Sequence, residues 1–397
     1  MTGLLVKNAT LAPGEPPMDV LCRGDMIVEV GRSLAARGAE ILDLERRALV
    51  PGFVDCHTHA CWAGCRLDEW EQIRAGASYL DVLRAGGGIM STVRAVRDVS
   101  EADLVDGLVQ RLGLCLAHGT TTIEIKSGYG LSTADEMKML RAITSAGEHW
   151  PGTAVPTACI GHAKPLDDGG FVERTIRETL PAVTAEFPGI AIDAYCEAGA
   201  WTLAECLRLF DAAIEAGHPV RVHADQFHDL GMVPEAISRG FRSVDHLEAT
   251  EPGHLEALAV SGTAGVMLPA SGWHLDGRYA DGRAFVDAGG TLALATNLNP
   301  GSAPCFSVPM IMGLAVRHLG LTCSEALEAV TAGGAHVLGL ADRGRIAPGQ
   351  RADCVVLQTR DVRDACFYLG GSLVAEVIVG GRRLVSPRGT DTASERA

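Results

Sequence analysis

The sequence of 397 residues contains no apolar run that approaches the length of a membrane-spanning helix, and its basic residues are in the minority. Its 34 lysine and arginine residues are outnumbered by 49 aspartate and glutamate residues, which gives a net charge of -15. A surface of this sign argues against nucleic acid or an anionic membrane as a partner. The N-terminal residues also lack a basic leader, which predicts a cytoplasmic location. What remains is a protein that acts on small molecules.

The cysteines lack the Cys-x-x-Cys spacing that is typical of zinc and redox motifs, although there are twelve of them. They are scattered through apolar runs, which favours buried, reduced thiols over disulfides. Cys56, Cys61 and Cys65 lie close together and could compete as zinc ligands. Because Cys56 should face away from the neighbouring histidines on a strand, we expect no cysteine in the metal site.

The central part of the chain alternates between short apolar runs and stretches of helical periodicity. The candidate strands are 53–56, 121–126, 155–160, 190–196, 220–223, 243–246, 264–268 and 291–296. Candidate helices include 102–117, 132–146, 203–216 and 324–338. This alternation predicts an α/β fold of the (β/α)₈ TIM-barrel type. The alternative is a doubly wound parallel sheet, but no Gly-x-Gly-x-x-Gly follows a strand.

Both ends of the chain contain a different pattern, in which short β-like runs are separated by glycine and proline. We therefore predict two domains. Residues 1–51 and 345–397 would build one small composite β-sandwich, and residues 52–344 would form the barrel.

The segment Pro51-Gly-Phe-Val-Asp-Cys-His57-Thr-His59 is an apolar run that ends in two histidines. Alternate residues on a strand share a face, so His57 and His59 should point the same way and form a metal clip. An isolated His-x-His is more often structural, but more polar residues follow the later strands. These strand-end residues are Glu124, Lys126, His162, Glu197, His223, Asp225, Gln226, Asp245, His246, Asn297 and Asn299. Barrel closure should bring them to one rim, where three imidazoles and one oxygen ligand would make a hydrolytic metal site.

These motifs resemble the amidohydrolase superfamily and, within it, closely resemble the imidazolonepropionase family. The resemblance rests on Arg66 and on segments 74–79, 85–95, 122–131, 161–163, 222–226 and 299–302, and it covers nearly the whole chain. It implies a metal-dependent barrel with a composite β-sandwich. Such an enzyme hydrolyses the lactam of 4-imidazolone-5-propionate to N-formimidoyl-glutamate in histidine degradation.

The resemblance also implies roles for individual residues. His57, His59 and His223, with Asn297 on the last strand, would hold one divalent metal ion per chain, either zinc or iron. Gln226 and His246 would orient or protonate the reacting ring. The substrate, a small anionic heterocycle, would be bound by Arg66, Tyr129, His162 and Asn299, and we expect a homodimer.

Charge and shape also favour Arg66 as the residue that binds the propionate of the substrate. A substrate with a propionate tail needs a fixed cation in a protein of charge -15, and Arg66 follows His59 by seven residues. The guanidinium fork matches a carboxylate in shape and charge.

Asn297 departs from the family pattern Ala-Thr-Asp-x-Asn-Pro-Gly. In the family the aspartate both contacts the metal and takes the proton of the attacking water, whereas this chain reads Ala295-Thr-Asn297-Leu-Asn299. An amide oxygen can bind a metal ion but cannot act as a general base near neutral pH.

Several accounts of Asn297 are open. The chain could use His246 or Glu197 as the base, or act on a related ring such as a hydantoin or thiohydantoin propionate. The asparagine could also be an engineered substitution that traps substrate. A catalytically impaired relative that only binds such a ligand is the remaining alternative.

Overall fold

A computed structural model describes residues 3–76, 87–165 and 168–384 of the chain. Parts of two family motifs, residues 77–79 and 85–86, and the end of the predicted terminal domain, residues 385–397, lie outside the described residues. Within the described ranges, no helix combines the length and the apolar character that a membrane crossing requires.

The described residues form strands and helices in the following order. The strands are β1 (Gly3–Ala9), β2 (Met18–Arg23), β3 (Met26–Gly31), β4 (Glu40–Asp43), β5 (Leu49–Pro51), β6 (Phe53–Asp55), β7 (Thr120–Lys126), β8 (Thr153–Gly161), β9 (Ala191–Cys196), β10 (Arg221–Ala224), β11 (Ser243–His246), β12 (Ala264–Met267), β13 (Leu292–Leu294), β14 (Cys354–Leu357), β15 (Val374–Val379) and β16 (Arg382–Leu384). The helices are α1 (Leu67–Arg74), α2 (Ile89–Asp98), α3 (Glu101–Ala117), α4 (Thr133–His149), α5 (Phe171–Arg174), α6 (Leu180–Glu186), α7 (Leu203–Glu215), α8 (Met232–Arg239), α9 (Pro252–Ala259), α10 (Pro269–His274), α11 (Gly282–Asp287), α12 (Val308–His318), α13 (Cys323–Glu328), α14 (Gly334–Val337) and α15 (Asp364–Phe367). Two short π-helical segments, Thr175–Thr179 and Ala329–Gly333, join neighbouring helices.

Strands β6 to β13 form an eight-stranded parallel sheet in sequence order, with helices between most of them. The predicted (β/α)₈ barrel is therefore confirmed, and every candidate strand overlaps an observed one. Parallel barrel strands are covered on both faces, which is why they read as continuous apolar runs in the sequence. Strand β12 shows this most clearly, since its four residues, Ala264 to Met267, are all apolar and all buried. Strand β7 is also buried at all seven positions, although Thr, Glu and Lys occupy five of them.

Hydrogen bonds just beyond the strand ends close the barrel between β13 and β6. The backbone N–H of Asn297 donates to the carbonyl of His57 at 3.0 Å, and the N–H of His59 donates to the carbonyl of Leu298 at 2.9 Å. One residue earlier, the hydroxyl of Thr296 donates to the carboxyl group of Asp55 at 2.6 Å. The first and last barrel segments therefore lie side by side at the carboxyl end of the barrel.

The predicted helices are present, and their starts have the expected capping side chains. Ser132 accepts from the backbone N–H of Asp135 at the start of α4, and Thr202 forms a capping box with Glu205 at the start of α7. The stretch predicted as one helix over 324–338 is instead interrupted by the π-helical Ala329–Gly333. The interruption falls where Gly333 and Gly334 press against the backbone of the barrel strands, so closely that a Cβ atom would clash.

The ends of the chain form two further four-stranded sheets. One has the order β3-β2-β1-β4, and the other has the order β16-β15-β14-β5, so it combines strands from both ends of the sequence. Apolar residues of both sheets, such as Leu4, Val20, Leu49 and Val356, belong to one buried cluster. This is the composite β-sandwich expected from the sequence, while the exact domain boundaries at 1–51, 52–344 and 345–397 stay a prediction.

Candidate metal centre and active site

Histidines from several barrel strands meet at the carboxyl end of the barrel, and we call them the histidine cluster: His57, His59, His162, His223 and His246. Possible ligand atoms of His57, His223 and His246 lie within 4.8 Å of one another, and the same holds for His59, His162 and His223. The Nε2 atoms of His59 and His223 are 3.0 Å apart. The strand alternation argument for His57 and His59 was wrong in detail, because β6 already ends at Asp55. The hydrogen bonds that close the barrel hold these two residues instead.

Burial lowers the pKa of four imidazoles of the cluster, which favours their neutral form. Removal from water lowers the pKa of His57 and of His59 well below the ordinary value and lowers the pKa of His162 to about 3. The pKa of His223 is also lowered, again mainly by burial. A neutral imidazole has a free nitrogen lone pair, which is the form that binds a metal ion.

Two buried aspartates orient two of these rings. Nδ1 of His57 lies 2.6 Å from Oδ2 of Asp245, and Nδ1 of His223 lies 3.0 Å from Oδ1 of Asp193. Each carboxylate holds the ring proton on Nδ1, so the Nε2 lone pair is directed away from it. This carboxylate–histidine arrangement is the usual support of a metal ligand.

Beneath the cluster, a network of buried charges fills the barrel. The ammonium group of Lys126 donates to Glu124 and to Asp193, both at 2.7 Å, and the guanidinium of Arg221 donates to Asp245 at 2.6 Å. Burial and Arg221 oppose the charged form of Lys126, but the carboxylates around it raise its pKa to about 12. Glu124 and Lys126 were expected at the rim; both are fully buried instead, because the ammonium group of Lys126 is enclosed by the carboxylates of Glu124 and Asp193.

The donor set of the cluster fits a divalent cation. Among the described residues, Nε2 of His57 and Oδ1 of Asn297 are buried and have no hydrogen-bond partner. Buried polar atoms are normally paired, so these two atoms point to a missing ligand. Imidazole nitrogens with an amide oxygen suit zinc or ferrous iron.

Of the residues expected to bind substrate, His162 belongs to the cluster, and Tyr129 and Arg66 lie near it. The ring of His162 stacks on that of His59, with centroids 4.5 Å apart, and the ring of Tyr129 lies 5.2 Å from that of His162. Nε of Arg66 donates to Oε2 of Glu69 at 2.6 Å. The guanidinium also lies next to Gly301, where an added Cβ atom would be 3.2 Å from Nη1 of Arg66. Arg66 is also close enough to Tyr129 to lower the pKa of its phenol, although burial raises that pKa overall.

Comparison with known proteins identifies the family. The model of the amidohydrolase family matches residues 48–384. An imidazolonepropionase from Deinococcus radiodurans is 43% identical over 367 residues, which cover 92% of this chain and 91% of that protein. One from Herpetosiphon aurantiacus is 44% identical over 346 residues, with 84% and 81% covered.

The chain belongs to the amidohydrolase family. Two solved structures agree with this fold at low sequence identity. A 5-methylcytosine deaminase from Klebsiella pneumoniae has a TM-score of 0.77 and 17% identity, covering 97% of this chain and 98% of its own. An adenosine deaminase from Xanthomonas campestris with bound zinc has a TM-score of 0.73 and 19% identity, covering 98% and 94%.

Two other predicted site residues of this amidohydrolase are engaged within the protein. Oδ1 of Asn299 accepts from the N–H groups of Gly301 and Ser302, at 2.9 and 2.7 Å, and its Nδ2 donates to the carbonyl of Asn297 at 2.7 Å. These contacts favour a role in shaping the loop rather than in binding substrate. Oε1 of Gln226 accepts from the hydroxyl of Tyr195 at 2.8 Å, and the Tyr195 ring lies 5.9 Å from that of His223.

The two candidate bases have different surroundings. Oε2 of Glu197 accepts from the N–H groups of Phe227 and His228, and its Oε1 contacts the ring of His228 at 2.7 Å. Glu197 therefore holds a loop together. His246 contacts Glu248 through Nδ1 at 3.1 Å and belongs to the histidine cluster, so its Nε2 faces the site.

Sequence reasoning missed the residues that support the site. Asp193 carried a signal, because it is the charged residue of the strand Ala191–Cys196, and such a residue needs a buried partner. Arg221 carried less, because it begins a short strand that also contains His223. Ser271 carried none. Its hydroxyl accepts from Nδ2 of Asn297 at 2.9 Å across 26 residues of sequence, which only the fold reveals.

Proposed function

We propose that this amidohydrolase hydrolyses the ring amide of 4-imidazolone-5-propionate and yields N-formimidoyl-glutamate. The observation that carries the proposal is the position of Arg66 and Tyr129 near the histidine cluster, on the side of its member His162. A cation, a phenol and an imidazole next to a metal-binding centre suit a small ring with an acidic tail. The relatives named imidazolonepropionase, at 43% and 44% identity, support the same substrate.

His57, His59, His223 and the amide oxygen of Asn297 would hold one zinc or iron ion. A bound divalent ion supplies Lewis-acid activation of the attacking water and of the ring carbonyl. Asp245 and Asp193 keep the Nε2 lone pairs of His57 and His223 available for it.

The remaining residues act on the substrate. Arg66 pairs with the propionate, and Tyr129 with His162 lines the ring position. His246, with Glu248 at its Nδ1, is the group best placed to accept a proton from the attacking water and return it to the ring nitrogen as the C–N bond breaks. Gln226 would orient the ring. A homodimer and a cytoplasmic location remain predictions.

A second function is favoured by Asn297 alone. A chain without the aspartate base could act on a hydantoin or thiohydantoin propionate, or bind such a ring without turnover. The deciding experiment measures turnover of imidazolone propionate and of hydantoin propionate side by side, after chelation and again after adding zinc or ferrous iron. We expect turnover of the imidazolone only with metal. Faster turnover of the hydantoin would reverse the assignment, and tight binding of either ring without turnover would indicate a silent relative.

Arg66→Lys should weaken substrate binding although the charge is kept. An ammonium cannot form the paired hydrogen bonds of a guanidinium, and one charge-assisted hydrogen bond is worth about 1.5 kcal/mol, so we expect KM to rise roughly tenfold. Arg177→Lys, at an exposed pair with Glu173, is the matched control and should leave KM unchanged. An imidazolone that lacks the propionate should bind equally well to both forms, and an unchanged KM for the natural substrate would remove Arg66 from the site.

A further inference from the structure

Arg221 is a buried arginine at the start of β10, and its side chain is only 1% exposed. Every nitrogen of its guanidinium has an acceptor. Nε donates to the hydroxyl of Ser243 at 3.0 Å, Nη1 to the carbonyl of Cys56 at 2.8 Å and to Glu124 at 3.1 Å, and Nη2 to Asp245 at 2.6 Å. A guanidinium only donates hydrogen bonds, so chemistry fixes the direction of each contact.

Two of these acceptors flank His57. The carbonyl of Cys56 belongs to the peptide bond that leads into His57. Oδ2 of Asp245, which accepts from Arg221, also lies 2.6 Å from Nδ1 of His57. A carboxylate oxygen only accepts, so this contact requires an N–H group, and a half-turn of the imidazole would place a C–H group there instead. Arg221 therefore holds the backbone that enters His57 and the carboxylate against which its ring rests.

His57 needs this support because it lies beyond the end of its strand, β6, which stops at Asp55. The carbonyl of His57 accepts from the backbone N–H of Asn297 at 3.0 Å, which holds the backbone but not the ring. Nε2 of the ring is buried and has no hydrogen-bond partner among the described residues, and the ring centre lies 4.5 Å from that of His223. The direction of Nε2 is therefore set by the group that holds Nδ1.

We propose that Arg221 is a positioning residue that keeps Nε2 of His57 directed at the metal ion. It is not a ligand itself, since a guanidinium has no lone pair to offer. Possible ligand atoms of His57, His223 and His246 lie within 4.8 Å of one another. Because zinc–nitrogen bonds are about 2.0–2.1 Å long, a small rotation of the His57 ring would take its nitrogen out of bonding range. The inference rests on the proposed function for the presence of the metal ion.

Arg221→Lys is the first test, and its readout is the zinc affinity of the protein without any substrate. The positive charge is kept, but one ammonium group cannot reproduce the fork that joins the Cys56 carbonyl to Asp245. Loss of an outer partner of a metal ligand typically weakens binding roughly 10–100-fold, so we expect Kd to rise by that factor. Competition with a chromophoric chelator measures each Kd.

Arg343→Lys is the matched control. The side chain of Arg343 is also mostly buried, at 8% exposed, and its Nη1 donates to the hydroxyls of Thr122 and Thr153 at 2.9 and 2.8 Å. These partners belong neither to the histidine cluster nor to the carboxylates that support it, so Kd should stay unchanged. An equal rise in Kd for the two variants would overturn the proposal, because it would reveal a general effect of losing a buried guanidinium.

The visible absorption spectrum of bound cobalt reports the ligands of the ion and their geometry, which a purely structural role would not alter. We expect Arg221→Lys to shift the spectrum of the cobalt-loaded protein towards that of His57→Ala, whereas Arg343→Lys should leave it unchanged. An unchanged Kd in Arg221→Lys would overturn the proposal. So would a raised Kd with an unchanged spectrum, since His57 would then still be in place.

A double replacement guards against a folding defect in Arg221→Lys. Arg221→Gln together with Glu124→Gln removes one buried charge of each sign, and the shorter amide cannot form the fork. Its Kd should exceed that of Glu124→Gln alone by the same factor, and an equal Kd would overturn the proposal. The melting temperature of each metal-free protein checks its folding. If the unmodified chain binds neither zinc nor ferrous iron, the proposed function itself fails, whereas metal binding that ignores Arg221 overturns only the role of this residue.

Discussion

Asn297→Asp should raise the turnover of imidazolone propionate by ~10²–10⁴-fold, the usual contribution of a positioned general base. Asn297 lies at the carboxyl end of the barrel. Its backbone N–H donates to the carbonyl of His57, and Nδ2 of its side chain donates to the hydroxyl of Ser271. A carboxylate there can take the proton of the attacking water, which the carboxamide cannot. Steady-state rates of the two zinc-loaded proteins give the comparison.

Asn299→Asp is the matched control, since it makes the same chemical change two residues further on. The amide of Asn299 donates to the carbonyl of Asn297 and to Ser302, so an aspartate would lose both bonds and gain no access to the reaction. We expect no increase in rate. If Asn297→Asp is no faster than the unmodified chain, the base role has moved to another group such as His246, and hydrolysis of a related ring becomes the leading account.

Lys126→Met should lower the free energy of unfolding by about 3–5 kcal/mol, which is typical for breaking a buried ion pair on one side. The ammonium lies at 2.7 Å from both Glu124 and Asp193, and all three side chains are fully buried. Without it, Arg221 still pairs with Glu124 and Asp245, but Asp193 loses its ammonium partner. Urea unfolding of the metal-free proteins measures the loss.

Lys164→Met isolates the effect of burial. Lys164 also pairs with a carboxylate at 2.7 Å, that of Glu205, but its side chain is 26% exposed. Water screens such a pair, and its removal should lower the free energy of unfolding by less than about 1 kcal/mol. Similar losses in the two variants would mean that the buried network contributes no more than a surface pair.

The barrel could be predicted because its strands are covered on both faces, so most of them are rich in apolar residues, and helical stretches separate them. The interior charges were harder to interpret. Lys126 is the last residue of the predicted strand 121–126, which suggested a rim position, yet its ammonium group is fully buried and donates to Asp193. The sequence shows that a charged residue is present, but not whether its side chain lies at the rim or inside the barrel.

Some residues of the candidate site could likewise be predicted from the sequence, whereas other contacts could not. His57, His59, His223 and Arg66 could be proposed from motifs, because their spacing from strand ends limits where they can lie. The contacts of Asn299 in its turn could not be predicted, since they depend on Gly301 and Ser302 adopting one backbone path. Its binding of substrate stays a prediction. The pairing of Ser271 with Asn297 could not be predicted, because it depends on how α10 packs against the end of β13.

The backbone hydrogen bonds between His57 and Asn297 and between His59 and Leu298 also bear on folding during synthesis. The paired segments are about 240 residues apart in sequence, as the 241-residue separation of Asp55 and Thr296 shows. A ribosome completes the first histidines early, but it must synthesise and release the last barrel strand before these contacts can form. A nascent chain that stops short of residue 297 therefore has exposed imidazoles without their final support. We expect such a truncated chain to bind divalent ions more weakly than the 397-residue chain.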